Sequence, residues 1–232
     1  MKSKSIVMIG LAVVIVVLAF LLFNSIMKPM RFDSEFYLRR DACAQRLKTV
    51  RTLEEAYKLT YGKYCGDFDT LIDRLMNEDS LLITQKIVNY DKIPEDVSVN
   101  DMPEADAVKA GYITFKKAYV NPIEQLREQN KLTVTDAEGE SHELTNEEIK
   151  NVRYIPFPKG TKEQFKLEAG TIENNGFYVP VFECKVDLKT LMSDCDDQMV
   201  RNKIAEIERV SGKYAGWKVG DMTQSVTEGN FE

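Results

Sequence analysis

The chain has 232 residues and a formal net charge of −6, from 37 acidic and 31 basic side chains. The chain is mildly acidic and has no basic stripe interleaved with aromatic residues, which a nucleic-acid-binding protein would be expected to carry. We therefore predict no nucleic-acid partner. Four cysteines and a single histidine are too few and too dispersed for a zinc site, and we predict neither a metal nor a cofactor.

Residues 6–23 form a run of eighteen residues without a charged or polar side chain. As a helix the run would be about 27 Å long, which is close to the thickness of the hydrocarbon core of a bilayer. Lys2 and Lys4 precede it, as in a secretory signal peptide, but the run is longer than a usual signal and no Ala-x-Ala-like site follows. We predict a basic tail over residues 1–5 and an uncleaved transmembrane anchor over residues 6–27.

Basic residues stand on both sides of this anchor, so the charge count alone does not fix its orientation. A short basic tail usually stays in the cytoplasm, which would place the C-terminal domain outside the inner membrane. The second basic cluster, from Lys28 to Arg40, would lie beside lipid headgroups of the bilayer. The anchor has no ionisable residue that could serve a transport path, so we interpret it as a tether.

Residues 31–88 are predicted to be a mainly helical region. Pro29 favours a bend or a restart, and residues 33–64 have the spacing of a long amphipathic helix. One face is charged and includes Arg39 and Glu54, with Glu54 and Lys58 spaced as an i,i+4 pair. The opposite face is an apolar and aromatic stripe, which either binds a partner as a coiled coil or packs on its own domain. The candidate interaction stripe comprises Leu47, Val50, Leu53, Tyr57 and Tyr61.

The rest of the chain is predicted to be an α+β region dominated by antiparallel strands. After a second helix capped by Asp67, residues 89–111 form an acidic, proline-containing linker, the best internal boundary. Residues 112–220 then contain several strands, of which the hairpin around residues 173–176 has the strongest signal. A helix from about residue 194 to residue 210 ends the domain, and residues 221–232 form a polar tail that is expected to fray.

The four cysteines are compatible with a disulfide in an oxidising compartment. Cys43 and Cys65 would stand near opposite ends of one helix, of order 30 Å apart, which is too far for a bridge. Cys184 and Cys195 are the most plausible pair, and four free, partly buried thiols are the alternative.

The sequence contains no motif that identifies a reaction. His142, the single histidine, lies in a polar hairpin and is interpreted as an exposed residue, and no pair of carboxylates stands out as a hydrolase pair. Asp194, Asp196 and Asp197 crowd the start of the last helix, where the helix dipole favours acids, and are interpreted as capping residues. We predict no catalytic residue.

The first 80 residues resemble the N-terminal region of type IV pilins and type II secretion pseudopilins. An apolar helix passes Pro29 into an amphipathic helix, and Tyr61-Gly62-Lys63-Tyr64 followed by Leu71-Ile72 is similar to the end of the pseudopilin helix and its following loop. The resemblance implies a helix-then-antiparallel-sheet fold and assembly into a filament, although Ile15 stands where that family carries an acid. The whole chain also resembles single-pass envelope proteins of Bacteroidetes, a likeness that implies no function.

Three functions are compatible with these features. The first is a single-pass, membrane-anchored structural or assembly component of the cell envelope, which binds a protein partner or a second copy and performs no catalysis. The second is a pilin-like or pseudopilin-like subunit of a pilus or secretion system. The third is a membrane-tethered hydrolase that uses a pair of carboxylates.

Overall fold

A computed structural model of the protein describes residues 2–94, 98, 102–135, 139–211 and 214–232. Its first element, helix α1, runs without interruption over Lys2–Tyr61, which is about 90 Å at the usual rise per residue. Pro29 lies inside this helix, where we predicted a bend or a restart. A proline removes the hydrogen bond to the carbonyl four residues earlier, here that of Ser25, and its ring crowds the same carbonyl. Because Ser25 is exposed, solvent can satisfy this carbonyl while the helix continues.

Helix α1 has two parts that differ in exposure. Its apolar side chains from Met8 to Met30 are mostly exposed, whereas those from Phe36 to Tyr57 that face the domain are buried. An exposed apolar surface of this length has the dimensions of a bilayer-spanning helix. In the part of the chain that the structure describes, α1 is the one helix long and apolar enough to cross a membrane.

The predicted α+β class is confirmed, with antiparallel sheets and a C-terminal helix following α1. The helices after α1 are α2 (Phe68–Asn77), α3 (Glu104–Lys109), α4 (Pro122–Glu128), α5 (Asn146–Asn151), α6 (Leu188–Leu191) and α7 (Asp197–Ser211). The strands are β1 (Leu81–Val88), β2 (Ile113–Val120), β3 (Thr133–Thr135), β4 (Ser141–Glu143), β5 (Lys166–Asn174), β6 (Phe177–Asp187) and β7 (Gly216–Gly220). They form the sheets β1-β2, β3-β4 and β5-β6-β7.

The β5-β6 hairpin forms as predicted. Its two-residue turn is Asn175-Gly176, and both residues have positive φ angles, of 52° and 83°. Such a turn suits Asn-Gly because its backbone twist matches the twist of the two strands. This hairpin supplies most of the three-stranded sheet against which α1 packs.

The main core lies between α1 and the three-stranded sheet. It includes Leu47, Val50, Leu53 and Tyr57 from the predicted interaction stripe, all of them buried, together with Phe182 and Val219 from the sheet. Tyr61, the fifth stripe residue, is half-buried and its ring lies 4.4 Å from that of Tyr57. Of the two interpretations of the stripe, the structure therefore shows packing on the protein's own domain. The four buried stripe residues are therefore not available to a partner.

A smaller core cluster lies nearer the apolar part of α1. Phe36 packs there with Leu188 and Met192 of the α6 region and with Val200 of α7. Trp217 of β7 touches both clusters, and its ring lies 5.9 Å from that of Phe36. The helix α7 therefore packs against α1 close to the end of the exposed apolar segment.

The sequence does not predict strand β7, because this strand is short and bounded by two glycines. Both glycines permit close backbone contact with β6. A Cβ atom at Gly220 would lie 2.2 Å from the Phe182 carbonyl oxygen, and Gly220 also has a positive φ of 74°. The tail after this strand differs from the predicted frayed segment: Phe231 packs on the main core and Arg51 pairs with Glu232 at 2.8 Å.

The predicted linker, residues 89–111, joins the two strands of one ribbon. A short 3-10 helix (Tyr90–Lys92) and helix α3 belong to it, whereas residues 95–97 and 99–101 lie outside the described residues. Strands β1 and β2, which flank this segment, are paired along their whole length. Because β1 precedes this segment and β2 follows it, the regions on its two sides are joined in one sheet and the segment does not separate them.

Candidate functional site

The β1-β2 ribbon is the surface best placed for contact with another molecule. Its register pairs Leu82 with Tyr119 and Lys86 with Phe115, which places these four side chains on one face. Leu82, Phe115 and Tyr119 are 48%, 46% and 68% exposed. The ribbon thus presents an apolar and aromatic face, which we call the ribbon face and define by these three residues.

The ribbon contacts the domain at its base. There Leu81 lies beside Ala56 and Pro122 around a cavity of about 70 Å³. In the described part of the chain no further strand pairs with β1 or β2, so both outer edges retain free backbone donors and acceptors. A two-stranded ribbon is marginally stable in water unless a third strand or an apolar surface covers it. The arrangement therefore suits a partner that covers the ribbon face.

The strands of the ribbon differ in charge from the rest of the protein. They carry Lys86, Lys116 and Lys117 and no acidic residue, although the chain as a whole is acidic. Lys86 pairs with Glu104 of α3 at 2.9 Å. The positive strands favour a partner whose contacting segment is acidic.

The cavity that contains His142 has a volume of about 390 Å³. His142 Nε2 lies 3.3 Å from Glu148 Oε1, and both side chains are about half-exposed. The other oxygen of Glu148 accepts hydrogen bonds from the Thr145 N–H and hydroxyl, each 2.8 Å, in a capping box that lowers the pKa of Glu148. Thr49, the only hydroxyl residue in the lining, donates to the carbonyl of Gln45 within α1.

Among the described residues that line this cavity, Glu148 is the one acid, so they do not include the pair of carboxylates that the hydrolase hypothesis needs. Another close pair, Glu183 and Asp221, shares the ammonium group of Lys218 at 2.9 and 2.7 Å. Both members have lowered pKa values, so neither is suited to act as a general acid near neutral pH. The hydrolase hypothesis receives no support from either place.

Glu54 is fully buried in the core, although the sequence analysis placed it on the charged face of the helix. Its Oε2 accepts a hydrogen bond of 2.8 Å from the backbone N–H of Cys65, which holds the chain reversal after α1. Its Oε1 is buried without a hydrogen-bond partner. Burial raises the pKa of Glu54 to about 8, and the Cys65 N–H opposes this increase only in part. The carboxyl group is thus protonated at neutral pH.

Arg39 joins α1 to the loop before α7. It is 6% exposed, and its guanidinium group binds both carboxylate oxygens of Asp194, with an Nη2–Oδ2 distance of 3.0 Å. Nη1 also donates to the Leu191 carbonyl at 3.0 Å, and the group lies 5.1 Å from the centre of the Phe157 ring. The pair lowers the pKa of Asp194. Arg39 therefore faces the protein and is not a lipid-facing member of the Lys28 to Arg40 cluster.

The three acids near the start of α7 have different roles, contrary to the prediction that all of them cap it. Asp196 caps the helix: its Oδ1 accepts from the N–H groups of Gln198 and Met199, both at 3.1 Å. Asp194 binds Arg39, and Asp197 forms an exposed pair with Arg201. Only one of the three is therefore a cap.

All four cysteines are free thiols in the structure. Cys184 is fully buried in the main core, whereas Cys195 is half-exposed and belongs to the smaller cluster. The predicted Cys184–Cys195 bridge is not present, because the two residues contribute to different clusters. Burial raises the pKa of the Cys43 and Cys184 thiols, which is typical of structural cysteines.

Within the described ranges, no group of three or more His, Cys, Asp or Glu side chains is arranged to hold a metal ion. The chain matches no protein-family model, no curated protein and no solved structure.

Proposed function

We propose that the protein is a single-pass, membrane-anchored assembly component of the cell envelope that docks a protein partner or a second copy on the ribbon face. The observation that carries this proposal is the continuity of α1. One helix supplies both an exposed apolar segment of bilayer length and the central element of the folded domain. A domain attached in this way has a fixed distance from the membrane, which suits a structural component.

The proposal includes an orientation: the N-terminal tail is in the cytoplasm and the domain is outside the inner membrane. The short basic tail before the apolar segment supports it. Outside the inner membrane, a domain of this kind would meet other envelope proteins. No reaction is assigned to it.

We expect the double variant Phe115→Ser/Tyr119→Ser to lose the partner or second copy that co-purifies with the protein after gentle detergent extraction. Truncating two aromatic residues in the middle of an interface costs about 2 kcal/mol or more, which weakens binding roughly thirtyfold. Because both side chains are exposed, the stability of the domain should change little. The measurement is quantitative co-purification at matched expression.

The matched control is Phe177→Ser/Tyr178→Ser, which removes two exposed aromatic residues beside the turn of the β5-β6 hairpin. This control should retain the partner. Equal recovery with both double variants would remove the ribbon from the proposal. A wild-type protein that is a clean monomer in every gentle detergent would overturn the assembly role itself.

A pilin-like subunit is the second candidate, and one observation favours it. Helix α1 extends beyond the domain as an exposed apolar rod, and its second half packs on an antiparallel sheet. The intact mass of the protein from membranes decides between the two candidates. Removal of the residues up to Gly10 would support pilin-type processing, whereas a chain retained through Met1 would exclude it.

A further inference from the structure

A groove of about 270 Å³ lies between α1 and the start of α7, just beyond the apolar segment of α1. Lys28, Arg31 and Phe32 line it from α1, and Cys195 and Met199 line it from the other side. The groove thus combines two cations with an apolar floor.

The two cations of the groove are available to a ligand. Among the described residues, neither Lys28 nor Arg31 forms an ion pair, and they lie three residues apart on one face of α1. The two carboxylates of the lining are already occupied. Glu35 accepts from Arg39 Nε at 3.3 Å, and Asp196 caps α7. Among the charged lining residues that the structure describes, Lys28 and Arg31 are therefore the two without a partner, and a phosphate could bind between them.

The groove also lies at the level of the lipid headgroups. Lys28 follows the last residue of the apolar run, Phe23, by five positions, or about 7.5 Å along the helix. The headgroup layer on each side of a bilayer is about 5 to 8 Å thick. Ile26 and Met30 are both exposed and extend the apolar surface of α1 to the groove. The groove is therefore continuous with the surface that would face the bilayer.

We propose that this groove binds one anionic phospholipid, with the phosphate against Lys28 and Arg31, the headgroup beside Cys195 on the α7 side, and the acyl chains running back along Ile26 toward the apolar segment of α1. The proposal rests on the membrane anchoring proposed above. A lipid bound there would contact α1 and the α7 region together, and so would fix the rotation of the domain about α1 relative to the membrane surface.

Cys195 provides a direct probe of the groove, because it is half-exposed there while Cys43, Cys65 and Cys184 are buried. The full chain is placed in phosphatidylcholine nanodiscs with or without phosphatidylglycerol, and the rate of maleimide labelling at Cys195 is measured by peptide mass. We expect phosphatidylglycerol to slow the labelling. Each cation near an anionic headgroup contributes about 1 kcal/mol, so Lys28→Gln/Arg31→Gln should weaken lipid binding, and with it this protection, about thirtyfold.

The matched control is Arg40→Gln, which removes a cation of α1 that lies outside the groove and pairs with Asp41. It should keep the protection. Equal labelling rates in the two kinds of nanodisc, or protection that persists in Lys28→Gln/Arg31→Gln, would overturn the lipid site alone. A chain that does not enter nanodiscs at all would overturn the anchoring and the lipid site together.

Discussion

Replacing Glu54 by Gln should make the free energy of unfolding nearly independent of pH between about 5 and 8, a range over which the wild-type domain loses stability. The pKa of Glu54 is about 8 in the folded protein, against an ordinary value of 4.5. Between these values the folded state holds a proton that the unfolded state has lost. Stability therefore decreases as the pH rises, by up to about 1.4 kcal/mol per pH unit and on the order of 3 kcal/mol over the range.

The amide of Gln suits this site because it mimics the protonated acid. It can accept the N–H of Cys65 as Glu54 does, and it carries no charge at any pH. We expect Glu54→Gln to be more stable than the wild type at pH 8 and similar to it at pH 5. Other carboxylates, such as Asp194 and Asp221, have lowered pKa values. They do not affect the pH dependence between 5 and 8, because the stability that they contribute is lost only as the pH falls below about 4.

The measurement is denaturant unfolding of the full chain in detergent at several pH values, followed by the fluorescence of Trp217, the only tryptophan. Its ring lies between the two core clusters and should report on both. The matched control is Glu55→Gln, a neighbouring exposed acid that should leave the pH dependence unchanged. A pH dependence that is the same in Glu54→Gln and wild type would show that the Glu54 carboxyl is not the source.

The second large effect concerns the three acids near the start of α7. We expect Asp194→Ala to cost about 2 kcal/mol, because it leaves the buried guanidinium of Arg39 without its bidentate partner. Asp194 is itself about half-exposed, so solvent screens part of the pair and the loss should be smaller than for a fully buried pair. Asp196→Ala removes an N-cap and should cost about 1 kcal/mol. Asp197→Ala should change stability by less than about 0.5 kcal/mol.

These three variants test whether the acids have different roles. If all three capped α7, as predicted, each substitution would lower the stability by a similar and modest amount. A double-mutant cycle with Arg39→Met should also show coupling: the double variant Arg39→Met/Asp194→Ala should cost less than the sum of the single changes. Additive effects, or equal losses for the three acids, would contradict the bridge between α1 and the α7 region.

The features that were predicted correctly are local ones. The cap at Asp67 and the Asn175-Gly176 turn each depend on residues within three or four positions of one another. All the groups that form the cap or the turn lie within one short segment, so the local sequence is enough to predict them. The length and composition of the apolar run likewise predict the exposed part of α1.

The features that were missed depend on residues distant in the chain. The helical periodicity allows Glu54 to lie on either the charged or the apolar face. Its place in the core depends on the chain reversal at Cys65, which packs against it. Arg39 meets Asp194 across 155 positions, so proximity to the anchor was the only signal in the sequence. Strand β7 has too few residues to show a periodic pattern, and it can be recognised only from its pairing with β6. The exposed ribbon face is equally a result of tertiary structure, because alternation alone does not tell which face of a strand is covered.

The most direct test of the central proposal is the location of the C-terminus in cells. Alkaline phosphatase and a green fluorescent protein are fused separately after Glu232, and both fusions are examined in the membrane fraction after alkaline extraction. A membrane-anchored domain outside the inner membrane gives an active phosphatase fusion and a dark fluorescent fusion. A fluorescent fusion with an inactive phosphatase, or a chain released by alkaline extraction, would contradict the proposal.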